Sequence, residues 1–135
     1  MAKKKIVTGK RPTKNQAEQF EMLSPILDSV FNEIKELSKK KQDGALNELK
    51  VKMTNRVLVK VKSILQDDPT VEFLDLLDEE VFPTNSDAVL IISQFRAAMS
   101  QFKEKHYIWT GMEHKWETED WKKATHNRVD CPVGS

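Results

Sequence analysis

Residues 49–62 read Leu49-Lys50-Val51-Lys52-Met53-Thr54-Asn55-Arg56-Val57-Leu58-Val59-Lys60-Val61-Lys62, and the fold class turns on whether they form a helix or a hairpin. The second half alternates β-branched residues with lysine, as a half-buried strand does, so a hairpin turning at Thr54-Asn55 is the alternative. Thr-Asn is a weak two-residue hairpin turn. Leu46, Leu49, Met53, Val57, Val61 and Ile64 recur at steps of three and four on both sides of the ambiguous stretch, which makes helix the expectation. Val51, Leu58 and Leu65 widen the apolar face and predict a central helix touching several neighbours.

Upstream, Phe20, Leu23, Leu27, Val30, Ile34 and Leu37 form a second helical stripe. Pro25, preceded by the capping residue Ser24, is expected to split or kink it, leaving a main helix from Pro25 to about Lys40. Downstream, Asp68-Pro69 should cap a short helix with Phe73, Leu74 and Leu77 inward and Glu72, Asp75 and Asp78 outward. After Phe82-Pro83, Asn85 or Ser86 is expected to cap a long helix to about Tyr107, carrying Ala88, Ile92, Phe95, Met99 and Phe102 on one face.

The pattern predicts an all-α, up-and-down bundle of about four main helices over residues 14–110, the third of them short. Residues 1–13 read as a flexible basic arm, with too little apolar surface to offset the entropy of ordering. Residues 111–135 read as a tryptophan-containing extension that includes a short helix near Glu113–Ala124 and ends in disordered residues. The expected core is Leu27, Val30, Ile34, Leu37, Leu49, Met53, Val57, Val61, Phe73, Leu77, Val89, Ile92, Phe95, Met99 and Phe102.

A chain of 135 residues suits one hydrophobic core. Its single cysteine, Cys131, excludes an intramolecular disulfide and favours a reducing, cytoplasmic setting. The basic start is followed by no signal-like apolar run, and the longest apolar run, Ala88 to Ile92, is far shorter than the roughly 18 residues of a membrane span. No export and no membrane are expected.

Net charge is only +1, but it is segregated along the chain. Residues 39–62 hold eight basic side chains against Asp43 and Glu48, whereas residues 63–95 hold eight acids and neither lysine nor arginine. Such segregation bears on association and steering. Lys39, Lys40, Lys41, Lys52, Arg56 and Lys60 are the candidate nucleic-acid contacts, since Lys52, Arg56 and Lys60 stand four residues apart along one helix side. A solvated lysine surface explains the same residues and is preferred, because arginine is scarce and no aromatic is interleaved to stack on bases. The acids between Asp67 and Glu80 lack the spacing of a calcium loop and read as a solvated face. They are also the complement of the basic helix in a second copy of the chain, which would favour a homo-oligomer.

His106, His114, His126 and Cys131 are the soft metal ligands, and they show neither a Cys-x-x-Cys nor a His-x-x-x-His pair. No metal or cofactor is expected. Cys131, beside Pro132, lacks the surroundings of a nucleophile, the serines have no glycine-flanked elbow, and Gly9-Lys10 lacks the preceding glycine of a phosphate loop. No catalytic set emerges, so an enzyme is not expected. Trp109, Trp116 and Trp121 stand in a polar stretch, where they either cap the bundle or anchor an interface. The expectation is a small non-enzymatic interaction protein, whether accessory subunit, inhibitor or adaptor, docking on a protein partner and self-associating. The alternative is a helical subunit binding a nucleic-acid backbone.

Overall fold

In the computed structural model, which describes residues 11–119, the stretch 49–62 lies wholly within one helix, α2 (Glu48–Ile64). Asn47 opens it, its side-chain oxygen accepting the Lys50 N–H at 2.8 Å. The other elements are α1 (Lys14–Lys40), a 3₁₀ turn (Pro69–Phe73), α3 (Asn85–His106) and two short strands, β1 (Tyr107–Trp109) and β2 (His114–Trp116). The chain is thus mostly helical with one small antiparallel sheet. It forms two compact units, Phe20–Phe102 and a second whose described part is residues 11–19 and 103–119.

Within Phe20–Phe102, α1 and α3 run antiparallel. Asn85 Nδ2 donates to the Lys41 carbonyl at 2.9 Å, Arg96 Nε donates to Asp28 Oδ1 at 3.0 Å, and the Phe20 and Phe102 rings stack with centroids 5.8 Å apart. The three contacts climb one helix while descending the other. Leu23, Leu27, Phe31 and Ile34 of α1 and Ala88, Ile92, Phe95 and Met99 of α3 are buried, as their helical spacing requires.

The expected split at Pro25 does not occur: α1 is one helix of 27 residues. Pro25 is exposed, so the helix bond it cannot make opens toward water, while buried Leu23 and Leu27 hold the register on either side.

A second correction concerns which face of α2 is inside. Leu49 and Met53 are exposed, Leu49 at 66%, and Val57 is half-buried. The inner face is Val51, Thr54, Asn55, Leu58, Val61 and Ile64, continued by Leu65 just past the helix end. Apolar residues occupy both sides of this helix, and the choice falls to the side carrying Asn55. Its Nδ2 donates to the Leu77 carbonyl and to Glu79 Oε2, each at 2.9 Å, and its Oδ1 accepts the Leu77 N–H at 2.9 Å. Asn55 therefore needs the interior to find these partners.

The same bonds explain why the short third helix of a four-helix bundle is absent. Asp68 caps as expected, with its Oδ1 accepting the Thr70 N–H at 3.0 Å, but only the 3₁₀ turn follows. Leu74 is already in an extended conformation, and Leu77 gives to Asn55 both backbone groups that a helix would use internally. Leu74 and Leu77 are buried, whereas Phe73, expected in the core, is 66% exposed. The segment then reaches Pro83, whose carbonyl accepts the Leu46 N–H at 2.9 Å, close to where α2 began.

Thr84, rather than Asn85 or Ser86, caps α3: its Oγ1 accepts the Asp87 N–H at 3.1 Å. Asn85 is buried and spends its side-chain amide on Lys41 instead, giving a second donor to a carbonyl just past α1 that also accepts the Gly44 N–H at 3.2 Å.

In the other unit, Thr13 caps α1. Its Oγ1 accepts the Gln16 N–H at 3.0 Å, and its own N–H donates to Gln16 Oε1 at 2.8 Å, a reciprocal capping box. Arg11 pairs with Glu117 at 2.6 Å, Pro12 is buried, and the Pro12 carbonyl accepts the Glu119 N–H at 3.2 Å. The last three residues assigned to the flexible arm are therefore engaged, and residues 1–10 lie outside the described residues. Residues 114–116, placed in a short helix by sequence, form β2 instead. Among the described residues no helix is long and apolar enough to cross a membrane.

Candidate functional site

The hairpin β1–β2 is built by strand alternation. Tyr107 pairs with Trp116, Ile108 with Lys115 and Trp109 with His114. Successive strand residues point to opposite faces, so Tyr107, Trp109, His114 and Trp116 share one face and Ile108 and Lys115 the other. The rings touch accordingly. Tyr107 stacks on His114 at 5.5 Å and meets Trp116 at 5.4 Å, while Trp109 lies 5.2 Å from His114. Lys103 Nζ sits 4.7 Å from the Tyr107 ring centroid and completes the stack with a cation.

The turn is closed by Thr110. Its N–H and its hydroxyl both donate to the Glu113 carbonyl, at 2.9 and 3.0 Å, and Gly111 supplies the positive φ of 104° that a side chain would resist. The result is a firm tip with Trp109 60% and Met112 88% exposed. Trp116 is half-buried behind it, and Trp121 lies outside the described residues. Of the anchors expected from sequence, Trp109, Trp116 and Trp121, the first two lie on this hairpin, whereas Met112 and the ring partners Tyr107 and His114 are not singled out by composition. The signal available was the two-residue spacing in Tyr107-x-Trp109 and His114-x-Trp116.

A second candidate surface lies on the Phe20–Phe102 unit. Lys52, Arg56 and Lys60 are exposed on the side of α2 opposite Val51, Leu58, Val61 and Leu65, and that side also carries Leu49 and Met53. The basic stripe and the misassigned apolar stripe are thus one surface. Lys52 pairs with Glu48 at 3.4 Å, whereas Arg56 and Lys60 have no ion pair among the described residues. Lys39 and Lys40 are exposed in the last turn of α1, where Lys39 pairs with Glu36 at 3.2 Å, and Lys41 is exposed in the turn beyond.

The third surface is the acidic segment beside α2. Phe73, Leu76 and Val81 are exposed, Val81 at 75%, among Glu72, Asp75, Asp78 and Glu80. Asp78 is set by a turn in which its Oδ1 accepts the N–H of Val81 at 2.9 Å and of Glu80 at 2.8 Å, and these bonds hold its carboxyl below the ordinary aspartate value.

His106 is buried, His114 is held in the ring stack, and His126 and Cys131 lie outside the described residues. Among the described residues no group of three or more metal-ligating side chains comes together. The chain matches no protein-family model, no curated protein and no solved structure.

Proposed function

We propose that the chain is a non-enzymatic docking protein that anchors on a protein partner, in the cytoplasm, through the aromatic face of its hairpin. The observation that supports this reading is the exposure of Trp109 and Met112 on a hairpin whose other rings are already stacked and whose turn is bonded across. An anchor ordered before contact loses little rotamer freedom on binding, and large aromatics carry a disproportionate share of interface energy. Trp116 supports the face from behind, and Trp121 is kept in the proposal as a further anchor.

The experiment compares the wild-type chain with Trp109→Ala and Met112→Ala by affinity capture from nuclease-treated extract of the native cell, with circular dichroism as the folding check. A stoichiometric protein that is captured by the wild type and lost from both variants supports the proposal; capture unaffected by either overturns it. The nucleic-acid reading, with Lys39, Lys40, Lys41, Lys52, Arg56 and Lys60 on phosphates, rests on the free charges of Arg56 and Lys60. Leu49 and Met53 interrupt that stripe with apolar surface that phosphate contacts would not use. Steeply salt-dependent binding of an RNA or DNA duplex would restore it.

A further inference from the structure

We infer that the outer face of α2 is the docking site for the acidic segment of a second copy of this chain, giving a two-fold dimer in which the contact is made twice. This deepens the proposal of a docking protein but uses a different surface from the hairpin. The two halves of the contact are chemically matched. One presents Leu49 and Met53 among Lys52, Arg56 and Lys60; the other presents Phe73, Leu76 and Val81 among Glu72, Asp75, Asp78 and Glu80. Each mixes exposed apolar side chains with charge mainly of one sign, Glu48 beside Lys52 being the exception on α2, and the prevailing signs are opposite. Arg56, Lys60, Glu72, Asp75 and Glu80 have no ion pair among the described residues, so their charges remain available.

The fold prevents the two surfaces from satisfying one another within one chain. Asn55 clamps Leu77 and Glu79 against the inner flank of α2, which holds the acidic segment beside the helix and leaves the outer face uncovered. Both surfaces belong to the same compact unit and adjoin each other on it, so a two-fold axis brings each basic face to the partner's acidic segment. Two such contacts close the dimer and leave no open end for further growth. The charges fix the register and steer encounter, and the apolar side chains supply the area removed from water.

Sedimentation equilibrium of the full chain over the micromolar to millimolar range tests the inference, with the pair Arg56→Glu/Lys60→Glu as one variant and Glu72→Lys/Asp75→Lys as another. All four side chains are exposed and have no ion pair among the described residues, and thermal melting checks each variant's fold. The expected result is a dimer weakened by at least about tenfold in either variant alone, and by added salt. Mixing the two variants in equal amounts should restore it, because both contacts of the mixed dimer again join opposite charges. Leu49→Ser should weaken it without any change of charge. A wild-type chain that stays monomeric throughout, a dimer indifferent to both reversals, or a mixture that fails to associate would each overturn the inference. Repeating the measurement on Trp109→Ala separates the two proposals, since that variant should dimerise like the wild type whatever becomes of partner capture.

Discussion

Asn55 holds Leu77 by both of its backbone groups: the side-chain oxygen takes the N–H and the side-chain nitrogen gives to the carbonyl, each at 2.9 Å. A helix residue here occupies the position of a neighbouring strand. Asn55→Ala would leave two buried backbone groups of Leu77 without partners, at an expected cost of about 2–4 kcal/mol by urea unfolding. Asn55→Asp keeps an acceptor for the N–H but loses the donor and sets a carboxylate against Glu79, so it should be no better than Ala at neutral pH and should recover in acid. Equal stability of wild type and both variants would show that the clamp contributes nothing.

Phenylalanines separate inside from outside. Phe95 is fully buried in α3, and Phe95→Ala should cost about 3–5 kcal/mol. Phe73→Ala should stay within about 0.5 kcal/mol of wild type, because an exposed ring has little to lose. Chemical denaturation of the two variants side by side, at concentrations where the chain is monomeric, would reveal a reversed order if the packing were otherwise.

Thr13→Ala removes the Oγ1 that accepts the Gln16 N–H and should destabilise the chain by about 1 kcal/mol, read as a lower thermal midpoint. From sequence, removing residues 1–13 is expected to be neutral, since the arm has too little apolar surface to bury. The cap and the Arg11–Glu117 pair reverse that expectation, and a truncation through Thr13 should melt lower than wild type.

Asp78 provides the pH prediction. Its carboxyl is held below the ordinary value, first by the Val81 N–H and then by that of Glu80. A folded value below the unfolded one, about 3.9, means that ionised Asp78 favours the folded chain above that pH, and that the contribution is lost as acid carries it through the lower folded value. Carbon-detected NMR titration should find Asp78 ionising below the ordinary aspartate value, and Asp78→Asn should flatten the acid limb of the stability profile.

Helical periodicity identified α2 against the hairpin alternative, and also found most of α1 and all of α3, because each carries long apolar stripes that a strand would scatter. It chose the wrong face of α2 because Leu49, Met53 and Val57 repeat as regularly as Val51, Leu58 and Leu65. The deciding residues, Thr54 and Asn55, are polar and so count against the side they define. Pro25 does not end α1 because the lost bond faces water and the burial of Leu23 and Leu27 on either side outweighs the proline's local cost. The hairpin escaped notice because three-residue strands carry too short an alternation to stand out from a charged stretch. Trp109 was nevertheless singled out from composition alone, as a large aromatic in polar surroundings; which of its faces is presented required the pairing with His114.

The lacing of residues 41–46 to residues 83–86 has a topological consequence. The Asn85 N–H donates to the Gly44 carbonyl at 2.8 Å, the Ser86 N–H to that of Gln42 at 3.2 Å, and the Leu46 N–H to that of Pro83 at 2.9 Å. Everything between, α2 and the acidic segment together, is an excursion that leaves and returns through one stitched gate. Its entropy of closure is met at that gate and grows only slowly with the length enclosed. The excursion is held on its inner side by Val51, Leu58, Val61, Leu65, Leu74 and Leu77, so it is the exposed outer positions, Leu49, Met53, Arg56 and Lys60 among them, that can be rewritten without disturbing the gate.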